Sequence, residues 1–299
     1  APDALQNAVT YRKGIGHDKQ AISNIESFVK SYKKKMKQEA AAAMFGLAGI
    51  YEKQGNEDMV IKAYKRYIKE IGKSGGNDRL LIANAKIGQL LWEQSCKGKA
   101  INGACVRIQR ERATRKRGKK KRRKGIELPK QCGPESKIKL TVLDRDKRLS
   151  KEARKYFGSA LKLAKQGAIE KSPDEGRKAA AIYWMAASQF YMNGEDYEKF
   201  LAIKFPTKLN FSERNAKKKA DSTKRFLKWL DDKKKLAAKV NTNYEAVRQI
   251  TGGGAAWAIA SAARIGQVSQ NFADGLFTAE IPKDVRTGPW AEDMVDAYC

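Results

Sequence analysis

The stretch AAAMFGLAGIYEKQGNEDMVIKAYKRYIKEI, residues 41–71, decides the fold. Leu47, Ala48 and Tyr51 fall on one face of a first helix. Lys53, Gln54, Gly55 and Asn56 make a turn in which glycine is free to take a positive φ. Val60, Tyr64, Tyr67 and Ile68 then line one face of a second helix at three- and four-residue spacing. Two amphipathic helices joined by a glycine turn form a unit that buries its apolar faces against neighbours of the same kind.

With that template, further copies appear along the 299 residues. Gly16, His17, Asp18, Ala21, Ile25 and Phe28 supply the turn and second helix of an earlier copy. AKIGQLLWE (85–93) and ARIGQVSQN (263–271) share A-[KR]-I-G-Q, with Ile87-Gly88 and Ile265-Gly266 at equivalent places in two first helices. Tyr183, Ala186, Ala187 and Phe190, followed by Gly194, give another first helix and turn. Ala153, Phe157, Ala160 and Leu161 give a second helix. Residues 211–250 read as a long Lys-rich helix with Phe226, Trp229 and Leu230 as its apolar stripe. Gly252, Gly253 and Gly254 break it before another long helix. That glycine run lacks the G-K-[ST] ending and the preceding strand of a phosphate loop.

A small pair at the closest helix approach, an aromatic one turn later, a glycine turn and an amphipathic second helix resemble the tetratricopeptide repeat (TPR). The expected fold is therefore all-α, a tetratricopeptide-like superhelix. GGGAAWAIASAARIGQVSQNFADGLFTAEIP (252–282) and ESKIKLTVLDRDKRLSKEA (135–153) are similar to phrases in large tetratricopeptide-repeat proteins of myxobacteria and related predatory bacteria. Some of those belong to cell-envelope assemblies, including the gliding-motility apparatus. The resemblance covers roughly residues 80–299. It implies helical repeats, a periplasmic or outer-envelope setting, a scaffold role and disulfide bonding of the loop cysteines.

The helix ending near Gln94 finds its partner only at about residues 150–165, so the residues between read as a loop insertion in one repeat. Three parts are expected: N-terminal repeats at 1–94, a basic cysteine-containing insertion at 95–149, and C-terminal repeats with the Lys-rich helix at 150–299. Within the insertion, KIKLTVL (137–143) alternates as a short strand or extended arm. The net charge is +29, and residues 97–130 carry 15 Lys/Arg against 2 Glu. Such a field draws anions and says nothing about fold. Its peak is Arg115, Lys116, Arg117, Lys119, Lys120, Lys121, Arg122, Arg123 and Lys124, the expected polyanion contact. A solvated loop is the bland alternative. An anionic envelope polymer or an acidic protein stands ahead of nucleic acid as partner, because no aromatics interleave with the run to stack bases. The chain carries no helix-turn-helix or RNA-recognition signature.

Cys96, Cys105 and Cys132 flank the basic run and are the disulfide candidates. A hydrophilic loop gives them no core, which favours a staple in an oxidising compartment over free cytosolic thiols. Four cysteines allow three complete pairings, and Cys299 is left open to a partner beyond the chain's end. No C-x-x-C pair occurs and His17 is the only histidine, so no metal site and no cofactor are expected. No apolar run reaches the ~18 residues of a membrane span. The chain begins at Ala1 and reads as a piece of a longer protein, so a missing secretory signal carries little weight.

No catalytic constellation accompanies these features, and Glu195 and Asp196 suit the start of a helix better than acid–base work. The expectation is a non-enzymatic scaffold. It would hold a peptide or helical segment of a partner protein in a groove lined by first-helix residues. Those residues are Phe45, Glu52, Gln89, Trp92, Trp184, Ser188, Tyr191, Gln267 and Gln270, with inter-repeat core as the competing role for each aromatic. The alternative is a cytoplasmic polyanion- or nucleic-acid-binding helical-repeat protein.

Overall fold

Apolar residues spaced three and four apart set most of the elements, and the computed structural model, which describes residues 2–110, 128–133 and 138–299, is mostly helical. The basic run 115–124 lies outside the described residues. The chain divides into two compact units.

The first unit comprises Ala1–Lys97, Arg145–Met192 and Ala246–Ser261. It holds α1 (Pro2–Gly14), α2 (Asp18–Tyr32), α3 (Lys37–Lys53), α4 (Glu57–Glu70), α5 (Asn77–Gln94), α6 (Lys147–Lys165) and α7 (Glu175–Met192). Each helix packs on the next, and α5 also packs on α7. The starts follow from local chemistry. The Asn56 side chain accepts the Met59 N–H at 3.2 Å ahead of α4, and Asp146 accepts those of Arg148 and Leu149 ahead of α6. Gly55, at φ +68°, turns α3 into α4 as the sequence requires. The buried faces are those the spacing marks: Ala21, Ile25 and Phe28 on α2, Val60, Tyr64 and Tyr67 on α4, Ala153, Phe157 and Ala160 on α6. Leu81, Ile82 and Ala85 of α5 meet Ala160 and Ala181 in the core between α5, α6 and α7. At its edge, Arg177 grips buried Asp78 with two bonds of 2.6 and 2.7 Å and also donates to the Gly75 carbonyl.

α5 and α6 touch although residues 95–146 separate them in sequence. Their closest approach is at Gly88, where a Cβ would lie 2.7 Å from the Phe157 ring. The two ends of the excursion also meet: the Asp146 N–H donates to the Ser95 carbonyl at 2.6 Å, and Arg145 lies 3.8 Å over the Trp92 ring.

The second unit comprises Gly98–Asp144, Asn193–Glu245 and Ala262–Cys299. β1 (Val106–Arg110) and β2 (Ile138–Val142) pair antiparallel, with Val106 opposite Val142. Alternation marks β2 as a strand from sequence; β1 is not among the expected elements, although Val106 and Ile108 alternate with Arg107 and Gln109 in the same way. α8 (Gly194–Ala202) places Glu198 to accept the Cys105 N–H at 2.7 Å. The long helices α9 (Ala216–Arg248) and α10 (Ala255–Phe277) match the Lys-rich segment and its successor. Trp229 of α9 stacks on Phe272 of α10 at 5.6 Å and meets Phe205 edge-on. A separate small core of Ile281, Val285 and Val295 takes in Leu128 and Cys132 beside α11 (Ala291–Tyr298). Among the described residues no helix is long and apolar enough to cross a membrane.

Residues 150–299 are shared between the units. The reason is aromatic packing: Trp257 lies 5.1 Å from Phe190 and 5.5 Å from Tyr191, which holds 246–261 to the first unit. Cys299 needs no partner beyond the chain's end, because it is bonded to Cys132 across 167 residues. Cys96 and Cys105 are also oxidised, leaving no free thiol.

Lys233 of α9 is buried with only neutral partners. It donates to the Phe200 carbonyl at 2.7 Å and to Asn271 Oδ1 at 2.8 Å, and its ammonium lies over the Phe200 ring. Burial lowers its pKa from the ordinary 10.5 to about 8. Above pH 8 the folded chain sheds this proton while the unfolded chain keeps it, so stability rises with pH until the ordinary lysine value is reached. Phenol ionisation opposes this from about pH 10. Denaturant titrations from pH 7 to 10 should therefore show the wild type gaining stability relative to Lys233→Met; parallel profiles contradict this account.

The shared A-[KR]-I-G-Q motif gives a second test. Gly88→Ala drives a methyl into Phe157 and should cost about 1–3 kcal/mol. Gly266→Ala meets nothing within 4 Å and should stabilise α10 by about 1 kcal/mol. Thermal melts of the two variants should move in opposite directions.

Candidate partner-binding cleft

In the first unit the end of α3, the turn after it, α5 and α7 enclose a cleft of about 290 Å³. Its walls are Glu52, Asn56 and Glu57 on one side, Lys86, Gln89 and Leu90 on α5, and Trp184 on α7, with Val60 at its base. Helical spacing puts Lys86, Gln89 and Leu90 on one half-buried stripe of α5, beside the buried Ile87–Gly88 pair. Lys86 is the pivot. Its ammonium bonds both Glu52 oxygens at 2.5 and 2.6 Å and lies 5.1 Å from the Trp184 ring and 5.8 Å from the Tyr64 ring. Tyr64 donates its hydroxyl to Glu52 at 3.2 Å. Burial first, then the Glu52 charge and this bond, raise the Tyr64 phenol far above its ordinary value.

Of the groove residues expected from sequence, this cleft gathers Glu52, Gln89 and Trp184. Others turn out to be core. Trp92 is 1 % exposed beneath Arg145, and Ser188 is fully buried with its hydroxyl on the Trp184 carbonyl. Tyr191 is buried, stacked on Phe157 at 5.6 Å with its hydroxyl on Glu93 at 3.0 Å. Its phenol is likewise pushed far up, by burial first and then by the Glu93 charge. Phe45 packs edge-on against Tyr64 and Tyr67 with the Arg79 guanidinium over its ring. Trp92, Ser188 and Tyr191 are corrections, because the helical face that lines a groove at one level faces a neighbouring helix at another; Phe45 is half-buried, as Trp184 is, and lies outside this cleft. Gln267 and Gln270 belong to the second unit, where they bond Tyr197 and Asp274.

Sequence reasoning missed Lys86, Asn56, Glu57 and Leu90. Lys86 had a usable signal, since it is the cation of the A-[KR]-I-G-Q motif. The polyanion-contact residues 115–124 lie outside the described residues. No group of three metal-ligating side chains occurs among the described residues.

Comparison with family models, with curated proteins and with solved structures finds no match.

The cleft presents a half-buried indole, two primary amides and carboxylates to solvent, with its one ammonium already neutralised. That lining suits hydrogen bonding to peptide groups and packing of an apolar side chain. Two side chains, one in the core and one in the cleft, should separate in a stability measurement. Trp92→Ala removes a fully buried ring and should cost about 3–5 kcal/mol. Lys86→Ala removes a surface ion pair and should cost less than about 1 kcal/mol. Urea midpoints check both values.

Proposed function

We propose that this protein is a non-enzymatic scaffold of the bacterial cell envelope, holding a peptide or helical segment of a partner protein in a tetratricopeptide-type groove. The observation that carries this reading is the cleft where Glu52, Lys86, Gln89 and Trp184 converge from three helices. The serial packing of α1 to α7 supports a repeat architecture. Oxidation of all four cysteines favours an extracytoplasmic setting. The net charge of +29 adds attraction to anionic surfaces.

That same charge favours a second reading, a polyanion- or nucleic-acid-binding helical-repeat protein. Trp184 separates the two. Trp184→Ala should keep the helical circular dichroism and lose the protein that co-purifies with the wild type from its native source. Undiminished capture by a folded variant refutes the groove. Retention on duplex DNA that Trp184→Ala leaves intact, with a steep decline in salt, establishes the second reading instead.

A further inference from the structure

The second unit contains a larger cavity, about 700 Å³, walled by Phe211 and Arg214 before α9 and by Asp284, Val285, Pro289, Trp290 and Met294 around α11. We propose that it takes a lysine or arginine side chain from an extended segment of a partner protein.

Three features lead there. The first is Asp284. One of its carboxylate oxygens accepts the Phe211 N–H at 3.0 Å, and the other is buried with no hydrogen-bond partner. Tyr298 lies near enough for this charge to raise its phenol pKa, after burial, yet it does not bond that oxygen. A buried anionic oxygen without a donor is costly, and a cationic donor entering the cavity relieves it. The second is Trp290, whose side chain is 69 % exposed at the cavity wall, with Met294 also exposed beside it. An indole face attracts ammonium and guanidinium groups and packs their aliphatic stems. The third is local charge. Residues 280–299 carry Glu280, Asp284, Glu292, Asp293 and Asp296 against Lys283 and Arg286, a net −3 that offsets the +3 of residues 211–219 on the facing wall and leaves the two walls near neutral within a chain of +29.

Nearby cations do not fill the role. Lys219 pairs with Glu213, and Arg286 pairs with Glu280 at 3.0 Å while donating to the Ile281 carbonyl. Arg214 stands exposed at the wall. More distant positive charge is screened within about 8 Å at physiological ionic strength, so the near-neutral walls leave the entry of a cationic side chain unopposed. The cavity is also held in shape. The Ile281, Val285 and Val295 core backs it, the Cys132–Cys299 disulfide ties α11 down, and the Ile281 N–H donates to the Lys130 carbonyl at 2.8 Å.

The probe is an N-acetylated, C-amidated leucine–arginine–leucine tripeptide, compared with its citrulline counterpart of equal shape and no charge. Titration into nitrogen-15-labelled protein is followed at the Trp290 indole resonance, assigned with Trp290→Ala, and at neighbouring amides. The arginine peptide should bind at least tenfold more tightly than the citrulline peptide. Asp284→Asn should abolish that ratio, and Trp290→Ala should weaken the arginine peptide at least threefold. Equal affinity of the two peptides, no binding of the arginine peptide, or a ratio that survives Asp284→Asn overturns the proposal. Should Asp284→Asn fail to fold, an unchanged ratio and affinity in Trp290→Ala overturns it, since that exposed ring is not needed for folding. Non-specific electrostatics on a +29 chain would favour the uncharged peptide, the opposite sign.

Discussion

A missing side chain at Gly88 lets the Phe157 ring settle against the backbone of α5. The packing of α6 and α7 on α5 depends on that approach. α5 and α6 are neighbours in space with residues 95–146 between them, so no short loop sets their distance. The entropic cost of closing so long an excursion grows only with the logarithm of its length, and burial of matched surfaces offsets it. Phe157 turns its other face to Tyr191 in a near-parallel stack of 5°, and Tyr191 bonds Glu93 back on α5. Trp257 then packs on Phe190 and Tyr191. One glycine thus fixes the spacing from which α6, α7 and residues 246–261 take their positions.

Polar groups reinforce the packing where the chain must not slip. Asp78 is buried, and such a carboxylate is tolerated only with its charge matched and its lone pairs satisfied. Arg177 does both, tying the start of α7 to the start of α5. In the second unit Lys233 has no counter-charge and relies on a carbonyl, an amide oxygen and a ring face. The first thus buries a matched ion pair, while the second holds, besides buried Glu198 and Arg264, a lysine whose charge is disfavoured by its surroundings.

The cleft and the deeper cavity divide the recognition chemistry similarly. In the first, Lys86 already neutralises Glu52, which leaves amides and an indole for a neutral peptide surface. In the second, the Asp284 carboxylate keeps an oxygen unbonded beside an exposed indole. Both sites draw their lining from residues distant in sequence.

Periodicity alone determined that this chain is helical, where its turns fall, and which face of α2, α4 and α6 is apolar, because helical geometry repeats every 3.6 residues regardless of what covers the face. It could not say which apolar or aromatic residues face solvent. Trp92 and Trp184 look alike in sequence, yet Arg145 covers the first and a cleft opens beside the second. Gly88 and Gly266 share one motif, yet Phe157 presses on one and nothing approaches the other. The Cys132–Cys299 bond likewise depends on residues 167 positions apart being brought within 5.2 Å between Cα atoms. Those outcomes belong to the tertiary structure, since burial is a property of what packs against a residue and not of the residue's place in its own helix.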